Sequence, residues 1–506
     1  MRREVAIFFQ LMGTLGVSAV LVAICSCAGQ QQVQTPVSIP EKFSRSGEKA
    51  VRGRWWRALD DPKLENLVAE ALEDNLDLKT AWDRLDQARA VARKERASLW
   101  PQLDGSASGS RTVQESEGAS FITQSTVPQA GGGGERTYTD DFTLGLTASY
   151  EVDVWGRVQA ATDAAELSAQ ASQQDVRAAA LSLTAQVANT WYRLVTQRAQ
   201  LELLRNQVAT NQRYLELVRL RFNKGDVAAT DVLQQQKLLD STRTKKARAR
   251  AELKRLQHQM AVLMGEAPEN IELPEQGALP ELPPLPDTGV PAKWVRRRPD
   301  IRNAYLRVRS ADRQVAAAIA DQYPRFSISA DFQSTAAEPG ELLQEWFARL
   351  AGNMSAPILD GGRRDAEVDR SRASAAERLH NYGQTLLTGI QEVEDALSNE
   401  HHQRTVLKRV RKQLRLSERT LDQLLRKYRN GRVNFLRVLD ELRTHQELER
   451  TVLSAQYQLV QDRIDLYRAL GCTWDLERPE GTVEDSTTDT ASQNRAQSDE
   501  GGDKKS

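Results

Sequence analysis

The stretch Arg221-Phe-Asn-Lys-Gly-Asp-Val227 returns 206 residues later as Lys427-Tyr-Arg-Asn-Gly-Arg-Val433. Gly156-Arg157 and Gly362-Arg363 repeat at the same offset of 206 residues. A solenoid needs three or more short units, whereas here two long copies carry the same motifs in the same order. The sequence therefore predicts a tandem duplication that forms a single architecture.

Each copy is predicted to contain a very long helix that ends at the repeated glycine. Residues 157–222 include no Pro or Gly, and as one helix these 66 residues would span about 99 Å. Gly225 and Gly431 suit the left-handed conformation at a helix C-terminus. A further helix is expected after each turn, about 227–264 and 433–470, and a shorter one before, about 76–98. Residues repeating every seven positions predict coiling against neighbouring helices: Val187, Leu194, Leu201, Val208, Leu215 and Phe222, then Val393, Leu407, Leu414, Leu421 and Tyr428, with Glu400 as the break.

A pair of strands is predicted ahead of each long helix. Apolar and polar residues alternate over 142–154, which is longer than a tilted strand needs to cross a bilayer. Residues 326–332 and 348–358 alternate likewise, while 103–110 has little apolar bulk and is also compatible with a polar loop. Four strands cannot close a membrane barrel, so either the strands lie outside the membrane or several chains share one barrel. A dimer is the minimum, and a trimer would supply 12 strands.

The composition excludes several classes of protein. Over 506 residues, 69 Lys and Arg balance 69 Asp and Glu, so no bulk charge attracts nucleic acid. A mean hydropathy of −0.56 excludes a multi-span helical membrane protein but not a β-barrel. Among five His, the adjacent His401 and His402 diverge by about 100° on a helix and cannot share one ion. We predict no metal site, no cofactor, no nucleic-acid partner and no enzymatic activity.

The two ends of the chain have compositions of their own. Residues 1–26 resemble a bacterial lipoprotein signal peptide, and Cys27 is the preferred acylation site because bulky Ile24 precedes the alternative, Cys25. The apolar run 5–24 is also long enough for an uncleaved membrane anchor. Residues 27–54 are expected to be extended, and the polar residues 473–506 to form a disordered tail.

The motifs together resemble the outer membrane factors, the TolC-type channels of tripartite efflux and secretion systems. The resemblance covers roughly 50–472 and rests on four motifs besides the two hairpins: Trp55-Trp56, Asp61-Pro62, Asn75-Leu-Asp-Leu and Arg298-Pro-Asp-Ile. The chain looks most like the lipoprotein branch that serves resistance-nodulation-division pumps. The resemblance implies a mainly α fold with repeats at 55–287 and 288–472. It also implies a homotrimer in which a 12-stranded outer-membrane β-barrel continues into a long periplasmic α-barrel.

The resemblance also assigns a gate at the periplasmic tip. Asp231 matches an inward-facing acidic ring, and Tyr428 and Asp440 match positions that hold the closed tip together. Arg437 replaces an acidic or neutral residue of other members, which leaves the number and sign of the constriction rings open. Physically, carboxylates on a pore axis attract cations and repel anions. Asp231 also has a simpler interpretation, since a carboxylate stabilises a helix N-terminus.

The function implied is a passive, gated exit duct in the outer membrane, lipid-anchored and fed by an inner-membrane pump through a periplasmic adaptor. A type I secretion channel is an alternative within the same family. A structural coiled-coil lipoprotein that tethers envelope layers is an alternative of another class, but it leaves four symmetrically placed strands unexplained.

Overall fold

A computed structural model describes residues 36–48, 53–116, 135–270, 273–274 and 277–478. The signal peptide, Cys27 and nearly all of the predicted tail lie outside the described residues. Residues 39–478 belong to one compact unit, which contains all the helices and strands, and residues 36–38 belong to another. Among the described residues, no helix is both long enough and apolar enough to cross a membrane.

The helices and strands follow one another in the same order in both halves of the chain. The first half contains α1 (Pro62–Asp74), α2 (Leu76–Ala97), β1 (Gln102–Ser116), β2 (Glu135–Val152), α3 (Arg157–Asn223) and α4 (Ala229–Leu263). The second contains α5 (Pro299–Ala320), β3 (Arg325–Ala336), β4 (Trp346–Ser355), α6 (Arg363–Arg429) and α7 (Phe435–Ala469). Short helical turns occupy Trp55–Leu59, Pro291–Trp294 and Pro339–Glu341.

Corresponding helices have the same length, which confirms the duplication. α3 and α6 have 67 residues each, α4 and α7 have 35, and α2 and α5 have 22. The helices after the turns begin two residues later than predicted, because Ala228 and Asn434 are extended N-cap residues. The prediction missed α1, although Asp61 and Pro62 are typical N-cap and first-turn residues and the Asp61 carboxylate accepts the N–H groups of Lys63 and Leu64.

Residues 103–110, the segment with the weakest strand pattern, lie within the 15-residue strand β1, so the polar-loop alternative was wrong. β1 lacks apolar bulk because Gly105, Ala107 and Gly109 stand where β2 supplies Leu146, Leu144 and Phe142. A Cβ added to Gly109 would lie 3.1 Å from the Phe142 ring. The small residues therefore make room for large neighbours across the strand pair, and the alternation disappears from the sequence of β1 alone.

The helices pack side by side around the long helix α3. α3 contacts α2 and α4 on one side and α5 and α7 on the other, while α6 packs against α5 and α7. The unit thus has two free edges: the column of α2 and α4, and the helix α6. Most of the predicted heptad residues of α3 are buried, but Phe222 at its end is 44% exposed.

Candidate functional site

The four strands form one antiparallel sheet in the order β1-β2-β3-β4, and its register separates apolar from polar residues. Leu103 lies opposite Ala148, Ala148 opposite Ala330, and Ala330 opposite Leu350, so this row is apolar from edge to edge. The next row, on the other face, is polar or charged throughout: Asp104, Thr147, Asp331 and Arg349. The alternation seen within single strands therefore adds up to one apolar face.

This apolar face is open in the single chain. The side chains of Leu103, Leu350 and Met354 are 70%, 77% and 66% exposed. Strands β1 and β4 each pair on one side only within the described sheet, so both outer edges carry unpaired backbone groups. A large exposed apolar surface together with open sheet edges indicates a surface that is covered in the working assembly.

Aromatic and glycine residues mark the junction between sheet and helices. Trp155 donates its indole N–H to the Pro324 carbonyl at 2.8 Å and stacks on Tyr323 with ring centroids 4.9 Å apart. Gly156 and Gly362 have φ of 71° and 81° at the starts of α3 and α6. The left-handed backbone at these two positions redirects the chain from the strand to the long helix that follows it.

At the opposite end, the two hairpin turns share one apolar cluster. Val218 of α3, Tyr428 of α6 and Phe435 of α7 are buried together, with the rings of Tyr428 and Phe435 5.6 Å apart. Gly225 and Gly431 have φ of 83° and 69° in the turns just beyond. The hairpin tips are thus packed against each other within one chain.

Arg221, which the sequence motifs did not single out, ties the first hairpin to the second. Its guanidinium lies 4.4 Å from the centre of the Tyr428 ring and donates to the backbone carbonyls of Tyr428 and Arg429, both at 3.3 Å. These carbonyls belong to the C-terminus of α6, where a cation is favourable. The repeated motif contains this arginine, but the sequence alone does not show which backbone it reaches.

The four predicted gate residues occupy different environments in one chain. Tyr428 is buried, and its hydroxyl has no hydrogen-bond partner among the described residues. Asp231 is half-buried in the first turn of α4, and Asp440 is exposed on α7. Arg437 is exposed, and its backbone N–H donates to the side-chain oxygen of Asn434 at 3.4 Å. Tyr428 and Asp440 therefore make no hydrogen bond with each other within the described chain.

A buried polar layer crosses the helices above the tip. Asn211 is fully buried on α3 and donates its amide to Thr242 at 3.0 Å, while Gln446 donates to the Asn211 side-chain oxygen at 2.8 Å. Gln207 donates to Glu449 at 2.8 Å. Such a layer fixes the register of packed helices, because a shift would leave buried polar groups unpaired. The Nδ1 of His445 has no hydrogen-bond partner among the described residues, and its Nε2 lies 3.6 Å from a carboxylate oxygen of Glu449.

Glu400, the predicted break in the heptad pattern of α6, forms a buried ion pair. Arg463 of α7 donates to the Glu400 carboxylate at 2.6 and 2.8 Å, and the two residues are 0% and 2% exposed. Burial raises the pKa of Glu400, but the hydrogen bonds and charge of Arg463, with those of Arg404, outweigh it, so the pKa lies below its usual value. The pair remains ionised because each charge is the partner of the other.

The motifs that carried the family resemblance have structural roles here. The Trp55 indole is buried and donates to Thr184, and the Asp61 carboxylate accepts the Trp191 indole N–H at 2.9 Å. Asn75 caps α2, and Arg298 pairs with Asp300 and Glu392. In the part of the chain that the structure describes, no cluster of three or more His, Cys, Asp or Glu residues could hold a metal ion.

A family comparison identifies this architecture. The profile of the family described as outer membrane efflux protein matches residues 67–266 and 290–472. The chain belongs to the outer membrane efflux protein family. Pyoverdine export outer membrane protein OpmQ of Pseudomonas aeruginosa is 30% identical over 434 residues, which cover 86% of this chain and 90% of OpmQ.

More distant members of this efflux family are similar over their whole length. Cation efflux system protein CusC of Escherichia coli O157:H7 is 25% identical over 474 residues, 90% of this chain and 97% of CusC. The solved structure of the outer-membrane channel OprN superimposes with a TM-score of 0.78 at 26% identity and covers 88% of this chain and 100% of OprN. The expected fold class and the expected function as an outer-membrane efflux channel are both confirmed.

Proposed function

We propose that three copies of this efflux channel assemble into a trimer whose 12 strands close one barrel in the outer membrane. The observation that carries the proposal is the sheet, with one apolar face and two unpaired edges. Joining β4 of each copy to β1 of the next pairs every open strand edge. Open edges are not tolerated in lipid, because their backbone groups would have no hydrogen-bond partners there. The same operation brings α6 of each copy beside α2 and α4 of the next and so closes a helical tube.

In this proposal the trimer is a passive duct without catalytic residues. Acylation of Cys27 anchors each copy in the outer membrane, and the helical part extends into the periplasm. An inner-membrane resistance-nodulation-division pump supplies the energy, and a periplasmic adaptor connects the pump to the hairpin tips. The efflux names of the relatives favour this assignment over a type I secretion channel.

Electron microscopy of the protein extracted in mild detergent tests the assembly. A three-fold tube with a helical part of about 100 Å is expected from the 67-residue helices. A monomer or an unclosed rod would reject the duct and favour the envelope-tethering alternative. Resistance of the assembly to SDS, together with β signal in circular dichroism, provides an independent check.

The tip is the proposed gate, with Asp231, Tyr428, Asp440 and Arg437 as the residues that control it. Three copies of Asp231 around the axis would form an acidic ring that favours cations. We expect Asp231→Ala to lower the ratio of potassium to chloride permeability in planar bilayers.

Asp240→Ala is the matched control for this experiment. Asp240 lies on the same helix as Asp231, is exposed and pairs with Arg243 at 3.2 Å, so its removal deletes the same charge away from the first turn. Equal selectivity in the two variants would reject the acidic-ring role and leave Asp231 as a helix-start residue.

A further inference from the structure

The chain remains attached to the fold beyond the end of α7. The ring of Trp474 meets the ring of the buried Trp56 edge to face, with the centroids 4.8 Å apart. Arg478 then pairs with two carboxylates of α2, that of Asp83 at 3.0 Å and that of Asp86. The segment after α7 therefore crosses to α2, one of the free edges of the chain.

The attached segment runs toward the sheet. Its first contact lies beside Trp55, which donates to Thr184 of α3. Near the end of α2, the Glu95 carbonyl accepts from Thr162 of α3, which is about 33 Å closer to the sheet than Thr184. The second contact, nine residues before Glu95, lies between these two levels. The chain therefore approaches the sheet as the residue numbers rise.

The same segment is extended, with one side toward the fold. Over 474–478 the even-numbered residues are half-buried and the odd-numbered ones are exposed. This two-residue period is that of an extended strand. Residues 479–490 hold four Asp and Glu and no Lys or Arg. With the same period, Glu480 and Glu484 are the next charged residues on the side of Arg478.

The face of α2 that holds Arg478 changes from acidic to basic toward the sheet. Arg93 and Lys94 lie about 14 Å beyond the midpoint of the two aspartates along the helix and about 50° to either side of them around it. Both are exposed, and neither makes an ion pair among the described residues. We call this face, made of Asp83, Asp86, Arg93 and Lys94, the α2 stripe.

The charges that follow Arg478 in the sequence match the α2 stripe. An extended chain advances about 3.3 Å per residue, so Glu480 and Glu484 stand about 7 and 20 Å beyond Arg478. These distances bracket the 14 Å or so between the acidic and basic parts of the stripe, and the long side chains of Glu, Lys and Arg span the difference. A basic residue followed by acidic ones thus faces acidic residues followed by basic ones.

We propose that the α2 stripe is the docking surface for the C-terminal tail of the same chain. Past Arg478 the tail continues along α2 as an extended strap. Its Glu480 and Glu484 pair with the two basic residues of the stripe. The strap ties the end of the second repeat to α2 of the first. Because one chain supplies both partners, the inference does not depend on the proposed trimer.

Electron paramagnetic resonance of a nitroxide on the tail of the full chain tests the docking. Thr487→Cys places the label three residues past Glu484, and Cys472 of the described chain is buried. The chain without Thr487→Cys, treated identically, gives the background of labelling. We expect an immobilised label at low salt and a mobile one at about 1 M salt, where the screening length is about 3 Å. A label that is mobile at low salt would overturn the proposal.

Charge reversal on α2 locates the contact. Arg93→Glu combined with Lys94→Glu should raise the ratio of mobile to immobile label about tenfold, because two ion pairs become repulsive. Arg84→Glu combined with Arg96→Glu is the matched control. Both of these arginines are exposed on the same helix, more than about 100° from the α2 stripe, and neither makes an ion pair among the described residues. Equal changes in the two variants would reject the stripe as the docking surface.

Reversing the charges of the tail as well distinguishes lost docking from lost folding. Glu480→Lys combined with Glu484→Lys, added to the double variant of the stripe, restores opposite charges on the two sides. We expect the label to be immobilised again. A label that stays mobile in this fourfold variant would contradict the pairing.

Acidic residues of a neighbouring copy are the alternative occupant of the α2 stripe in the proposed trimer. In that case Arg93→Glu combined with Lys94→Glu would lower the resistance of the assembly to SDS and leave the label unchanged, which would reject the tail as the occupant. Electron microscopy of the same samples checks the trimer separately. A sample without trimers would reject the proposed function, whereas an immobilised label in that sample would still support the strap.

Discussion

The two copies of the long hairpin fill one core position with opposite chemistry. In the first copy the heptad residue is Leu194, which is fully buried, and Gln257 holds the corresponding position of α4. In the second copy, 206 residues later, the same positions hold Glu400 and Arg463 as a buried ion pair. The helices that carry these positions have the same lengths in both copies, so the copies differ here only in which groups the two side chains can bind.

The ion pair makes a connection that a leucine cannot make. Arg463 also donates to the carbonyls of Pro283 and Pro284, at 2.9 and 3.2 Å, in the segment that joins the two copies. Burying two charges is costly, and the cost is offset only while every hydrogen bond is present. The core of the second copy thus tolerates the loss of a side chain less well than that of the first, and the same arginine holds the segment between the copies in place.

Breaking the pair from one side is expected to have the largest effect. Arg463→Met leaves the Glu400 carboxylate buried with only Arg404 nearby and should lower the free energy of unfolding by about 3 kcal/mol. Urea unfolding of the helical circular-dichroism signal measures this loss. Gln257→Met at the equivalent position of the first copy is the control, with an expected change within about 0.5 kcal/mol.

Replacing both partners sharpens the same comparison. Glu400→Leu combined with Arg463→Met replaces the buried ion pair with two apolar side chains and should recover most of the lost stability in the same urea unfolding experiment. If the double variant were as unstable as the single one, the bonds to Pro283 and Pro284 would be the main contribution of Arg463.

Lowering the pH is expected to destabilise the second copy more than the first, and this is the next largest effect. The pKa of Glu400 lies below its usual value of 4.5, so its ionisation stabilises the fold above that pH and the contribution disappears as pH falls through the lower, folded-state pKa. The protection of backbone amides in α6 and α7 against hydrogen exchange, corrected for the intrinsic rate at each pH, should therefore fall in acid more than that of amides in α3 and α4. Arg463→Met removes the cause, and an unchanged difference in that variant would contradict the explanation.

The smallest effect is expected at the tip. Tyr428 is 3% exposed and its hydroxyl has no partner among the described residues, whereas Phe222, its counterpart in the first copy, is 44% exposed. Tyr428→Phe removes a buried polar group without a bond and should raise the melting temperature slightly, by the equivalent of up to about 1 kcal/mol. Phe222→Tyr adds a hydroxyl in water and should change nothing. A loss of stability in Tyr428→Phe would show that the hydroxyl has a partner in the trimer.

Most of the helical architecture was predictable because its signals are local. The glycines of the turns, the heptad spacing and the motif offset of 206 located α3, α4, α6 and α7 to within about two residues at each end. The strand β1 was harder, because its small residues only make sense opposite Leu146 and Phe142. Helix α1 was missed although Asp61 and Pro62 are typical of a helix start.

The gate residues show the limit of motif matching. The resemblance assigned Tyr428 and Asp440 to positions that hold the closed tip together, and in one chain Tyr428 is buried against Phe435 while Asp440 is exposed. Arg221, which makes the contacts between the hairpins, carried no signal of its own. A motif identifies the position of a residue, whereas its partner depends on the packing of another hairpin.

The sequence by itself determined the periods: two residues for the strands, seven for the long helices and 206 for the repeat. The first two follow from backbone geometry, which acts between near neighbours, and the third is a direct comparison of the two copies. Only the tertiary structure decided that four strands share one apolar face and that Glu400 meets Arg463. Each of these depends on residues far apart in the chain, whose pairing is set by the register of packed elements.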